Sequence, residues 1–315
     1  MRVAAIVHMY PPRHNAGAEW MLHAILLYLT GRGHECHVVI SNGLPADTWE
    51  FEGIPVRNVG APERIRERVH ADDVLITHLD RTADSMKVRR RLLKPLVHLV
   101  HNDKQLHANR VHPTDAQLVV YNSEWLRKRV GWRGPSLVLH PPVAGDVYRT
   151  TPGEAVTLVN LNAAKGARTF LACARLMGNH RFLGVLGAYG RQLGQSAPRN
   201  VRIVPQTSDM LEVYGRTRVL LMPSEYESFG RVAIEAGHSG IPTIAHPTPG
   251  LKEALGRTGI FVDRDDVPGY VNAIEALDDE EMYAQASEDA YANAVRWELR
   301  MLGELERFEE ALRKL

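Results

Sequence analysis

Short, continuous apolar runs that alternate with segments of helical period restrict the fold of this chain more than any other feature. "VAAIVH" (Val3 to His8) lacks polar alternation and reads as a strand buried on both faces. "EWMLHAILLYL" (Glu19 to Leu29) then repeats apolar residues at helical spacing, and "CHVVI" is a second apolar run. A strand, a helix and a strand in that order make a parallel crossover. The alternation continues through "DVLITH", the basic helix "KVRRRLLK", "LVHLVH" (Leu96 to His101), "AQLVVYNS" and "PSLVLHPP", enough for one doubly wound domain. The Pro/Gly-rich stretch "HPPVAGDVYRTTPGEA" interrupts it, and "VTLVNLN" (Val156 to Asn162) opens a second series with "FLGVLG", "VRIVP", "VLLMPS", "PTIAH" and "GIFV". The expected class is α/β, with two Rossmann-like, doubly wound parallel-sheet domains at 1–145 and 146–296. "ELRMLGELERFEEALRKL" (Glu298 to Leu315) reads as a closing amphipathic helix.

Composition narrows the function classes. A chain of 315 residues, 44% hydrophobic and 24% charged, is an ordinary globular protein of two-domain size. The net charge of +1 divides unevenly, +5 in residues 1–145 and −4 in the remainder, and 12 of the 15 histidines lie in the basic half. Neither value calls for nucleic acid, and the basic runs "KVRRRLLK" and "RKRVGWR" read first as solvated faces. They leave open an anionic acceptor or a peripheral membrane contact. Cys36 and Cys173 are far apart in apolar segments, so reduced thiols and a cytoplasmic location are expected. The N-terminal apolar run is too short for a signal peptide, nothing approaches the roughly 20 apolar residues of a membrane span, and no zinc-ligand spacing occurs.

In open parallel sheets, ligands bind in loops at the carboxyl ends of strands. Three such loops carry candidate chemistry. "HMYPPRHNAGAE" sets Gly17 just before a helix whose N-terminus attracts anions, but it is not a GxGxxG dinucleotide fingerprint. "LNAAKGARTF" puts Lys165 where an ammonium can meet a diphosphate. "YESFGRVAIEAGHSGIPTIAH" sets Glu227 at a helix mouth and Glu235 about two turns in, among small and apolar residues, with Ser228 as the expected N-cap. A carboxylate in such company needs partners to offset lost hydration. Taken singly, each loop also reads as an ordinary connector or a solvated helix flank.

Together they resemble the retaining GT-B glycosyltransferases usually called family 4. "PSEYESFGRVAIEAGHSGIPTIAHPTPGLKEALGRTGIFV" has the family's Pro-Ser, a Glu before Ser-Phe-Gly, a second Glu eight positions on, Gly-x-Pro and Gly-x-x-Glu. "YPPRHNAGAEWMLHAILLYLTGRGHE" and "LNAAKG" extend the likeness over most of the chain, in order. The resemblance implies two domains around an interdomain cleft, the first binding acceptor and the second a nucleotide-diphosphate sugar, UDP- or GDP-linked, with a C-terminal helix of about 297–315 packing back on the first domain. It implies that Glu235 accepts the donor ribose hydroxyls and that Glu227, Ser228 and the backbone N–H groups of Phe229 and Gly230 hold the transferred sugar. Lys165 then faces the diphosphate, Gly17 lets its loop close over it, Gln206 lies near the base, and His101 stands beside the anomeric carbon. No metal or other cofactor is then required. The chain departs from the pattern at Asn160, where the family has an arginine, with Arg168 or Arg191 as candidate substitutes, and at Ala16, where many relatives have glycine. The acceptor stays open among small molecule, glycan, protein, lipid and modified DNA. A silent nucleotide-sugar-binding protein and a GT-B nucleotide-sugar epimerase are the rival readings.

Overall fold

A computed structural model describes residues 1–103, 116–194 and 197–315. The chain divides into two compact units, 1–142 with 301–315, and 143–300. The first contains β1 (Arg2–Val7), β2 (Glu35–Ile40), β3 (Asp47–Phe51), β4 (Ile54–Asn58), β5 (Val74–His78), β6 (Leu96–Val100), β7 (Leu118–Tyr121) and β8 (Ser136–Val138). They form one sheet in the order β3-β4-β2-β1-β5-β6-β7-β8, parallel except for the β3–β4 hairpin. The hairpin was not expected from the sequence. Its edge strand β3 alternates half-buried and exposed residues, unlike the continuously buried β5, β6 and β7.

Alternate residues of β1 enter two different cores, as a strand covered on both faces requires. Val3, Ala5 and Val7 pack with Met21, Leu22, Ile25, Leu26 and Leu29 of the helix Gly17–Gly31 and with Phe308 and Leu312. Ala4 and Ile6 pack with Ile65, Val69, Met86, Val88 and Leu126 on the other face. At about 1.5–3 kcal/mol for each large apolar side chain removed from water, these layers supply much of the unit's stability. The end of the chain is fixed to this unit by polar contacts as well. His140 N donates to Glu304 Oε2 at 2.8 Å, and His34 Nε2 lies 3.2 Å from Glu309 Oε1.

The second unit holds β9 (Ala155–Val159), β10 (Phe182–Val185), β11 (Val201–Val204), β12 (Thr217–Met222), β13 (Thr243–Ala245) and β14 (Ile260–Phe261). All pair in parallel, in the order β11-β10-β9-β12-β13-β14. Val156 and Leu158 meet Phe170, Cys173 and Tyr270 in its core. One helix, Glu280–Leu312, contributes residues to both units and is longer than the closing helix expected from the sequence. Cys36 and Cys173 are both free and buried. Among the described residues, no helix is long and apolar enough to cross a membrane.

Candidate active site

The chain order of the second sheet reverses at β9. β10 and β11 extend it one way, while β12, β13 and β14 extend it the other, so the carboxyl ends of β9 and β12 flank a switch point, the position at which open parallel sheets bind ligands. The loop after β9 carries Asn160 to Gly166, and the loop after β12 carries Pro223 to Gly230. Glu225 N donates to Ala164 O at 2.8 Å and ties the two together. Gly166 is required here twice over. It is left-handed at φ 90°, and a Cβ would stand 2.5 Å from the Pro223 carbonyl oxygen.

Lys165 and Glu227 meet at this junction. Lys165 Nζ donates to Glu227 Oε1, which also accepts from Ser224 Oγ at 3.0 Å. Burial pulls the Lys165 ammonium downward, but the Glu227 carboxylate and the Tyr189 hydroxyl outweigh it and hold its pKa above the ordinary lysine value. The ammonium is therefore a fixed cation. Glu227 Oε2 has no hydrogen-bond partner among the described residues. The site thus offers one charged donor and one carboxylate acceptor, both partly exposed, beside the switch point.

Glu235 is placed differently from expectation. It is 2% exposed, its Oε1 is paired with Arg231 one helical turn earlier, and its Oε2 accepts from Tyr214 Oη at 2.7 Å. Arg231 also donates to Tyr148 Oη at 2.8 Å. Burial lowers the Arg231 pKa, yet Glu235 and Tyr148 leave it raised overall, while burial and Glu235 together push the Tyr214 phenol well above its usual value. Each carboxylate oxygen thus has a partner within its own unit, which offsets its lost hydration. Nor is Ser228 the N-cap. Helix Arg231–Gly237 starts two residues later, from Gly230 in a left-handed conformation, because the Ser-Phe-Gly turn buries Phe229 first. Phe229 packs edge-to-face on Trp297 with centroids 4.9 Å apart.

Asn160 supports the loop instead of supplying charge. It adopts φ 66°, which asparagine tolerates better than most residues, and its Oδ1 accepts from Asn162 Nδ2 at 2.8 Å and Gln192 Nε2 at 3.0 Å. Arg168 and Arg191 are exposed and make no ion pair or side-chain hydrogen bond among the described residues. The cation found beside this loop is Arg264, from the loop after β14. Its guanidinium donates to Ala163 O and lies 3.4 Å from Glu225 Oε2. Gln206 follows the edge strand β11, half-buried, and shares no hydrogen bond with the Lys165–Glu227 pair.

Gly250, the glycine of the Gly-x-x-Glu motif, lies in the first turn of helix Pro249–Leu255. A Cβ there would lie 2.3 Å from Glu227 O and 2.7 Å from Phe229 N, so this helix rests directly on the backbone of the Glu227 loop.

In the first unit, Gly17 is the first residue of its helix, exposed and with open space around it. His101 follows β6, buried, and its Nε2 shares a hydrogen bond of 3.0 Å with His78 Nδ1. Burial, with a smaller push from His98, lowers its pKa to about 3, so its imidazole is neutral at physiological pH.

Residues 155–280 match the family model Glycosyl transferases group 1. By this match the segment is similar to the group 1 glycosyl transferases. The match contains Asn160, Lys165, Glu227 and Arg264. Over 283 residues, 87% of its length, the chain is 29% identical to a D-inositol 3-phosphate glycosyltransferase of Acidothermus cellulolyticus, of which it covers 54%. The chain thus spans about half the length of that relative. A glycogen synthase of Mycobacterium tuberculosis is 30% identical over 160 residues, 46% of this chain and 38% of the relative. Anabaena HepE, solved in complex with UDP-glucose, superimposes over the full length of both chains with TM-score 0.81 at 17% identity. Sucrose-phosphate synthase of Thermosynechococcus elongatus does so with TM-score 0.78, also at 17% identity. The architecture is GT-B.

Proposed function

We propose that the protein is a retaining glycosyltransferase that moves a sugar from a nucleotide-diphosphate donor, UDP- or GDP-linked, to an acceptor hydroxyl. The observation that carries this reading is the Lys165–Glu227–Ser224 constellation at the switch point of a segment similar to the group 1 glycosyl transferases. An ammonium has three N–H donors. Glu227 engages one, and a donor diphosphate takes another, so Lys165 neutralises charge on the leaving phosphate as the C1–O bond breaks. Preorganised charge of this kind, rather than side-chain proton transfer, supplies most of the stabilisation. The acceptor oxygen bonds to C1 on the face that the phosphate leaves, its proton passes to the departing phosphate oxygen, and the configuration is retained.

Glu227, with Oε2 open, holds a hydroxyl of the transferred sugar, and the backbone at Phe229 and Gly230 borders the same position. Glu235 enters as the residue that fixes the helix behind them through Arg231 and Tyr214. Neutral His101 belongs to the acceptor side. Arg264 and Lys165 carry the charge that many glycosyltransferases assign to a metal, so donor binding proceeds without one. The test is a thermal-shift panel of UDP, GDP, ADP and their sugars, since a ligand bound only by the folded state raises Tm. Turnover of the stabilising donor is then measured with and without sugar, polyol and lipid acceptors. No stabilisation by any nucleotide would overturn the reading, and stabilisation without turnover would favour a silent binding protein.

A further inference from the structure

Each sheet has a switch point, and the two carry different chemistry. In the first sheet the chain leaves β1 for β2 and β4, then returns to β5 on the other side of β1, so the loops after β1 and β5 frame the corresponding position. His8 follows β1 directly, His78 ends β5, and Glu19 lies in the first turn of the helix Gly17–Gly31. One ligand atom from each of the three lies within 4.8 Å of the other two. Glu19 is 1% exposed, His78 is fully buried, and His8 is half-buried.

The hydrogen bonding of this cluster is incomplete. Both carboxylate oxygens of Glu19, Nε2 of His78 and Nδ1 of His8 are buried without a hydrogen-bond partner. The nearest cationic group to Glu19 is His14, whose Nδ1 stands 3.5 Å from Oε1 and is itself without a hydrogen bond. A buried carboxylate with neither oxygen hydrogen-bonded carries a desolvation cost that a single imidazole at 3.5 Å offsets only in part. His78, by contrast, has its other nitrogen committed to His101, and His8 Nε2 faces Asp80 at 3.9 Å. Each histidine thus has an unpartnered nitrogen in the cluster and a polar neighbour behind it, the outer support that metal-bound imidazoles use to fix their tautomer.

We propose that His8, Glu19 and His78 form a binding site for a first-row divalent cation of the zinc class, with His14 or water completing four ligands. Two imidazoles and one carboxylate are a donor set that zinc accepts while keeping a further position open, and other first-row ions share it. Ligand atoms about 2.0–2.2 Å from one tetrahedral ion are about 3.3 Å apart, so the widest pair here closes by no more than about 1.5 Å. Half-buried His8 gives the ion a way in. With the cation on Nε2, His78 keeps its proton on Nδ1 and donates to His101 Nε2, which settles the tautomer of His101. All three ligands belong to the first unit, and the site is independent of the functional reading above.

The test uses the full chain, freed of metal with EDTA, dialysed, and titrated calorimetrically with Zn2+, with Co2+ as a spectroscopic substitute. One equivalent bound per chain, a raised Tm, and the visible absorption of four-coordinate Co2+ are expected. Glu19→Gln and His8→Asn should each weaken binding at least tenfold and abolish the Co2+ bands. Because Glu19→Gln removes a buried carboxylate whose oxygens accept no hydrogen bond, its apo form should melt no lower than the native apo protein; if it fails to fold, His8→Asn, at the half-buried ligand, decides alone. Absence of saturable binding, or binding that both variants leave unchanged, would overturn the proposal, the latter by assigning the metal to other histidines.

Discussion

Glu235→Leu separates a positioning role from a ribose-binding one. The substitution leaves the Arg231 guanidinium buried with Tyr148 but without its carboxylate, and leaves the Tyr214 hydroxyl without its acceptor. Removing one partner of a buried ion pair costs about 3–5 kcal/mol, most of it the price of an uncompensated charge. At about 2–4 °C per kcal/mol for a domain of this size, Tm falls by roughly 6–20 °C. Arg231→Met combined with Glu235→Leu removes both charges and should recover at least about 2 kcal/mol, a coupling within the range seen for residues in one network. Urea unfolding of the native chain, the two single variants and the double variant closes the cycle. In parallel, Glu235→Gln keeps the shape and an acceptor for Tyr214, and its UDP affinity should stay within about threefold of native. A cost below about 1 kcal/mol for Glu235→Leu with no coupling to Arg231, or a tenfold loss of UDP affinity in Glu235→Gln at unchanged stability, would refute the reasoning and return Glu235 to the ribose.

Lys165→Ala should reduce turnover by about 100-fold or more while donor affinity changes less, because its charge acts mainly on the leaving phosphate; equal losses in kcat and affinity, from steady-state kinetics and calorimetry, would place its role in the ground state. His101→Ala should abolish transfer to acceptor and leave the Tm shift with UDP intact. Nucleotide-induced stabilisation should be the same in excess EDTA, and its loss would contradict a metal-free donor site. Arg313 draws the Glu309 carboxyl down to about 2 against the opposing effect of burial, with His34 and Arg32 assisting. Its ionised form therefore stabilises the fold above the ordinary carboxylate range, and that contribution disappears as pH falls toward 2. In Glu309→Gln the acid limb of a Tm-against-pH curve should be flatter between about pH 4.5 and 2.

The central strands were legible because covering on both faces removes polar alternation; β1, β5, β6 and β7 match apolar runs in the sequence almost residue for residue. The β3–β4 hairpin was not, since "DTWEFEGIPVRN" mixes charge with a proline and resembles a loop. Lys165 and Glu227 could be placed on two strand-end loops, but their contact depends on which strands are neighbours, a property of topology rather than local pattern. Arg264 escaped notice for the same reason: it lies 99 positions beyond Lys165 and joins its loop because β9 and β14 end on the same carboxyl side of a parallel sheet. Arg231 was within reach, because an arginine four residues before a glutamate on one helix is a recognisable pair. The His8, Glu19 and His78 cluster has no local spacing at all, so a search for zinc motifs passes over it.

The missing side chain at position 250 lets helix Pro249–Leu255 pack directly against the backbone of the Glu227 loop. A substitution there would move the Glu227 loop bodily rather than reshape one wall of the site. Randomising 248–251 under selection for transfer should therefore return glycine at 250 in every surviving clone, and any altered sugar preference would have to arise from the flanking side chains.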